Sequence, residues 1–232
     1  MSQGRDKRKY LPKGQNTLIS EHMITLHHLN NSRSQRVLWL LEELELDYKI
    51  KHYKRDPKTG RAPPSLKAIH PLGRSPVIEH KENIVAETGA IIEYIIEAHG
   101  NGRLIPKAGS PEYYNYIHFL HYGEGSAMFP LLLSMYTGYL GEAAAPLAPI
   151  ISGEMKVHFD YIEYHLTGHD YFAGDKLTGA DFQMIFPLEA AKTHGRLLGY
   201  SACLEFVERM HARPAYLRAL KKGGHYDYGP KI

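Results

Sequence analysis

Cysteine is nearly absent: the 232 residues hold one, Cys203. A single thiol excludes an internal disulfide and any C-x-x-C redox motif, and the expected location is a reducing cytoplasm. Long apolar runs are missing as well, since no stretch approaches the roughly 18 residues that a membrane span requires. A surplus of one charge is lacking once position is considered. The formal net charge is +3, but residues 1–22 carry five basic and two acidic side chains and account for all of it. From Met23 onward 23 basic residues face 23 acidic ones, which excludes the basic footprint of a nucleic-acid-binding protein. There is no internal repeat and no low-complexity tract. Residues 1–22 also lack an apolar h-region, so they read as a disordered extension or leader, not a secretory signal. Met23 reads as a second possible start.

What is present divides in two. From Met23 to about Leu104, short strand-like runs alternate with helical ones. ITLHHL is a first strand. Residues 34–46 form a helix, with Val37, Leu38, Leu40, Leu41 and Leu44 on one face, while Glu42, Glu43 and Glu45 lie off that stripe and read as a solvated surface. YKIKHY (48–53) alternates at period two. A loop rich in breakers follows, KRDPKTGRAPPS, then a short helix at 66–69. A hairpin of 76–80 and 84–85 leads into a helix over 88–98. The order βαβαββα favours a right-handed crossover and a mixed sheet. Residues 105–110 belong to a linker rich in Gly and Pro, and beyond it no strand pattern occurs. Ser110-Pro111 is a strong helix start. Helices fit 111–136, 152–167, 178–193, 200–212 and 214–222, with Thr178 and Asp181 spaced as a capping box. The fold class is α/β plus all-α.

Five segments, in order, carry a resemblance: NSRSQRVLWLLEEL (31–44), HPLGRSPVIE (70–79), AETGAIIEYI (86–95), LTGADF (177–182) and RPAYLRAL (213–220). The chain from Met23 onward resembles a soluble glutathione S-transferase. The stretch KRDPKTGRAPPSLKAIHPLGRSP is similar to a bacterial and fungal branch in which a serine does the catalytic work. The resemblance implies a thioredoxin-like, glutathione-binding domain over 23–104 and a helical domain over 111–232 that contributes the electrophile pocket. It further implies a homodimer, with glutathione as co-substrate and no metal.

Site residues follow from the resemblance and from what a short anionic thiol peptide requires. Pro76, expected to be cis in this fold, turns the backbone of Val77 toward the cysteinyl part of glutathione, a small instance of strand addition. The plainer alternative is a proline opening an edge strand. Glu87 and Thr88 open a helix, where a carboxylate, a hydroxyl and free N–H groups would hold the γ-glutamyl end; they equally suit simple capping. Arg74 stands where relatives carry a basic residue toward the glycyl carboxylate, though a lone loop arginine is usually just solvated. His70 is a weaker candidate. Among the serines, the resemblance selects Ser32, because the related catalytic serine precedes a helix arginine, here Arg36, by four positions. Its hydroxyl would donate to the glutathione thiolate beside a helix N-terminus. Ser32-Arg-Ser-Gln35 also fits a capping box, and Ser34 is the lesser candidate.

Tyr113, Tyr122 and Met128 are the expected electrophile wall, since Met and polar-tipped Tyr suit varied apolar substrates. His27 and His28 point to opposite faces of a strand, and His118 and His121 lack an H-E-x-x-H context, so no metal site is expected. Cys203 reads as core. The expected activity is glutathione transfer to an apolar electrophile, with a glutathione-dependent peroxidase variant using the same parts. The other class kept open is a non-catalytic binding module on the same fold.

Overall fold

The computed structural model describes residues 23–230; the extension expected at 1–22 lies outside them. Strands β1 (Ile24–Leu29), β2 (Tyr48–Tyr53), β3 (Val77–His80) and β4 (Asn83–Ala86) form one mixed sheet in the order β2-β1-β3-β4. β1 runs parallel to β2, with Leu26 opposite Ile50, and antiparallel to β3, with Leu26 opposite Ile78. The parallel pair requires a crossover, and helix α1 (Ser34–Glu43) supplies it. A 3-10 turn (Pro64–Ala68) and helix α2 (Thr88–His99) complete a thioredoxin-like half. All of this follows the sequence-based order to within a few residues.

The second half is helical: α3 (Pro111–Tyr122), α4 (Met128–Gly138), α5 (Ala148–Thr167), α6 (Gly179–Thr193), α7 (Ser201–His211) and α8 (Pro214–Gly223). Ser110 accepts from the Tyr113 N–H at 3.2 Å, so the predicted cap opens α3. Thr178 and Asp181 cap α6 reciprocally, and Asp181 also accepts from the Phe172 N–H at 2.9 Å. The helical run expected over 111–136 forms, but not as one regular α-helix. A π-helical turn at Gly123–Ala127 separates α3 from α4.

Helix α1 sits at the centre, packed on the sheet, α2, α6 and α8. Every residue from Ser34 to Glu42 is buried, and Trp39 lies 4.1 Å from Phe182 between ring centroids. Two of the three expected surface glutamates are therefore not solvated. Glu42 is bound by Arg218, Lys222 and Tyr48, and Glu43 by Arg213 and Trp39. Only Glu45 is exposed. Helix α8 covers the face that the apolar stripe alone leaves open, and its cations neutralise the buried carboxylates. Cys203 is fully buried, as expected, and burial pushes its thiol pKa up.

Candidate active site

A cavity of about 220 Å³ opens where the two halves meet. It is lined by Arg33 from the start of α1, by His70, Leu72, Arg74, Ser75 and Pro76 before β3, by Ala86, Glu87 and Thr88 at the start of α2, and by Glu124 from the π turn. Four of the predicted glutathione residues, Arg74, Pro76, Glu87 and Thr88, are thus brought together. The Ser75–Pro76 bond is cis. Val77 is not brought to the cavity: it is 1% exposed and lies in the sheet between His27 and Ala86. The residue before the proline, Ser75, faces the cavity instead, its Oγ donating to the His27 carbonyl at 2.9 Å.

Glu87 caps α2 with φ 71° and ψ 125°, and its side chain makes no cap hydrogen bond. A positive φ at a residue other than glycine costs about 1–3 kcal/mol, and such strain clusters at active sites and ligand clamps; of the six non-glycine residues with positive φ among those described, Glu87 alone lines the cavity. The conformation leaves the Glu87 side chain exposed at the cavity while Thr88 is buried beside it. Thr88 occupies the first helical position, so the cap is Glu87.

Ser32 lies next to the cavity-lining Arg33 and is 7% exposed. The expected capping box with Gln35 is not formed. Helix α1 begins one residue later than the box requires, and its cap position, Arg33, is already helical. Ser32 Oγ instead accepts from the Ser34 N–H at 3.2 Å and donates to the Leu29 carbonyl at 2.7 Å. Ser34 is fully buried, with Oγ 2.8 Å from Ser32 Oγ and 2.9 Å from His28 Nδ1.

The protons of this chain can be assigned. His28 Nε2 lies 3.1 Å from the Gly223 carbonyl, which only accepts, so Nε2 carries the hydrogen. Burial first, and then His52, lower the His28 pKa to about 4, against the Gly223 hydrogen bond. The ring is therefore neutral near pH 7, and Nδ1 accepts from the Ser34 hydroxyl. Ser34 Oγ also lies 3.1 Å from the Leu29 carbonyl, but Nδ1 has no other donor among the described residues, so the Ser34 proton goes to His28 and the Ser32 proton is the one able to turn toward an incoming anion.

The helical half contributes charge. Arg36, buried throughout, donates to the Gln183 carbonyl at 2.7 Å and to Glu124. Arg33 Nε reaches both Glu124 oxygens, at 2.8 and 2.9 Å. The expected electrophile wall does not line the cavity. Met128 is 4% exposed in the core, Tyr122 is turned to His158 on α5 at 2.6 Å, and Tyr113 packs on Tyr114 and Tyr116. Glu124 was missed because nothing in a helical run of GEGSA announces a π turn. Arg33 was missed because it stands between two more conspicuous serines. Among the described residues no group of three or more His, Cys, Asp or Glu is arranged to hold a metal ion.

Residues 21–97 match the family model described as glutathione S-transferase, N-terminal domain, and residues 117–214 match glutathione S-transferase, C-terminal domain. Glutathione S-transferase 3 of Schizosaccharomyces pombe is 35% identical over 184 residues, covering 73% of this chain and 75% of that protein. Glutathione S-transferase 1 of Saccharomyces cerevisiae is 37% identical over 197 residues, 75% of this chain and 82% of that one. A solved glutathione S-transferase from Actinobacillus pleuropneumoniae, 35% identical, superposes with a TM-score of 0.83 over 89% of this chain and 95% of its own.

Proposed function

The chain belongs to the glutathione S-transferase family, and from that premise we propose that Ser32 stabilises the thiolate of bound glutathione for attack on a small, apolar electrophile. The observation that carries this reading is the single cavity that collects Arg74, the cis Ser75–Pro76 bond, Glu87 and Thr88 beside the start of α1. Glutathione lies along it with its γ-glutamyl end at the α2 N-terminus, where the Thr88 hydroxyl and free helix N–H groups meet a carboxylate, and with its glycyl carboxylate toward Arg74. The backbone at Ser75 pairs with the cysteinyl part, in place of Val77. That register sets the sulfur toward Ser32. Residues 23–104 supply most of this site and 111–232 contribute Glu124 at its edge, while the apolar part of the electrophile rests on exposed Leu72.

In the reaction the Ser32 hydroxyl exchanges its neutral acceptor, the Leu29 carbonyl, for the thiolate. A hydrogen bond to a charged group contributes about 1.5–3 kcal/mol, which corresponds to a thiol pKa lower by roughly one to two units at 1.36 kcal/mol each. A thiol that starts near ~8.5 is then about a quarter to three quarters thiolate at neutral pH, against about 3% unaided. The thiolate attacks, the electrophile loses its leaving group or takes up a proton, and the conjugate departs. A peroxidase variant needs no further protein group: the thiolate attacks a hydroperoxide, the alcohol leaves, and a second glutathione converts the resulting sulfenic acid to glutathione disulfide and water. The enzyme works as a cytoplasmic homodimer in this reading.

The test is the thiolate absorbance of bound glutathione as a function of pH. Ser32→Ala is expected to raise the bound thiol pKa by about one to two units and to lower kcat/KM at neutral pH by a similar factor in log units. An unchanged thiol pKa in Ser32→Ala removes Ser32 from the mechanism.

A further inference from the structure

The π turn raises a question that the glutathione reading leaves open. A π turn inserts an extra residue into a helix and is found most often at functional sites. This one is held by packing. A Cβ on Gly123 would stand 2.8 Å from Gln183 Cγ, so the backbone lies against α6 and the next residue, Glu124, is turned into the cavity.

Glu124 there meets two guanidinium groups, Arg33 and Arg36. One carboxylate facing two fixed cations leaves one positive charge over. Arg36 spends its other contacts on the Gln183 carbonyl and Oε1, at 2.7 and 2.9 Å, and its side chain is 0% exposed. The surplus therefore resides at Arg33. Arg33 bonds Glu124 through Nε alone, and its two amino groups have no partner among the described residues. Its guanidinium stands 5.0 Å from the Phe186 ring centroid, within cation–π reach. A guanidinium fork anchored through Nε, with both amino groups free, is matched to a carboxylate.

The carboxylate can be placed. A Cβ on Gly89 would lie 3.8 Å from Gln183 Nε2 and 3.9 Å from the Leu120 carbonyl, so the first turn of α2 rests on the same Gln183 that contacts Arg36 and Gly123. Arg33 and Glu124 thus flank the α2 N-terminus, on the side of Thr88 and Glu87, while Arg74 belongs to the loop before β3. We infer that Arg33 receives the α-carboxylate of the γ-glutamyl residue, that Glu124 is the positioning residue holding the Arg33 fork toward it, and that Glu87 takes the adjacent ammonium. This rests on the glutathione reading of the cavity.

The experiment is calorimetric binding of three peptides to the full chain: glutathione, its analogue lacking the γ-glutamyl α-carboxylate (4-aminobutyryl-cysteinyl-glycine), and the one lacking the ammonium (glutaryl-cysteinyl-glycine). Wild type is expected to bind the decarboxylated peptide about tenfold to a hundredfold more weakly than glutathione. Arg33→Gln is expected to lose most of that discrimination, keeping only the share that Thr88 and the α2 N–H groups supply, and still to discriminate against the deaminated peptide as wild type does. Glu124→Gln is expected to lose part of the carboxylate discrimination, and Arg33→Lys, which keeps the charge without the fork, to lose part of it too. Arg33→Gln that retains the wild-type ratio between glutathione and the decarboxylated peptide overturns the inference while leaving the cavity assignment intact. Glutathione that fails to bind wild type, or that binds Thr88→Ala and Arg74→Ala as tightly as wild type, overturns the assignment of the cavity itself.

Discussion

At the scale of single residues, His28 decides which serine has a proton to spare. It is 3% exposed, and its neutral ring takes the Ser34 hydroxyl while giving its own hydrogen to Gly223. Its pKa falls from 6.5 in the unfolded chain to about 4. Between those values the folded state binds fewer protons than the unfolded one, so His28 withdraws stability as pH falls from 6.5 toward 4. Urea unfolding of wild type and His28→Gln at pH 7 and pH 5 isolates this group from the other titrations. The loss on acidification is expected to be about 2 kcal/mol greater in wild type; equal losses would mean that His28 titrates alike in both states. Ser34→Ala leaves His28 Nδ1 unpaired and is expected to cost about 1–3 kcal/mol of stability. It should move the bound thiol pKa less than Ser32→Ala does. The spacing of Ser32 and Gln35 pointed to a capping box, but the backbone turns helical one residue after Ser32, so its oxygen meets the Ser34 N–H instead. Local spacing names the group that can cap; the dihedral angles choose which N–H it reaches.

At the scale of elements, the helix starts at Ser110 and Thr178 were legible because each rests on a side chain bonding a backbone group three residues away. Such bonds depend on the segment alone. Asp181 goes further, bonding Phe172 N–H at 2.9 Å and Thr178 N–H at 2.7 Å from a fully buried site. Burial pushes its pKa up to about 7 in spite of those donors. Asp181→Ala strands two buried N–H groups at about 1–3 kcal/mol each, and an unfolding midpoint in urea within error of wild type would refute that count. The π turn between α3 and α4 was not legible. It exists because Gly123 must fit beneath Gln183, sixty residues away.

At the scale of the whole molecule, α1 is the shared element: it connects two strands, carries the serines at its start and is closed over by α8 near the C-terminus. Gly223 on α8 touches both functions. Its carbonyl anchors His28, and a Cβ there would stand 2.7 Å from Gln35 Oε1 and 2.9 Å from Leu38 Cδ2. Gly223→Ala is expected to lever α8 off α1, costing about 1–3 kcal/mol as overpacking does, and to raise KM for glutathione through His28 and Ser34. Unfolding in urea alongside the glutathione KM checks both; lost stability with an unchanged KM would sever the helix from the site.

The sequence by itself determined the element order, the mixed sheet followed by helices, the capped helix starts, and the residues Arg74, Pro76, Glu87 and Thr88 that the fold collects. The element order and the caps depend on periodicity and short-range backbone bonding, and the four site residues on the resemblance of their segments to a known family. Tertiary structure alone decided that Glu42 and Glu43 are covered, because their partners Arg213, Arg218 and Lys222 lie some 170 residues away. It also decided that Val77 is enclosed by the sheet, that Tyr113, Tyr122 and Met128 pack among the helices, and that Arg33 and Glu124 face the cavity. Each of those outcomes depends on which surface a second element happens to cover, and burial of that kind leaves no periodic trace in the chain.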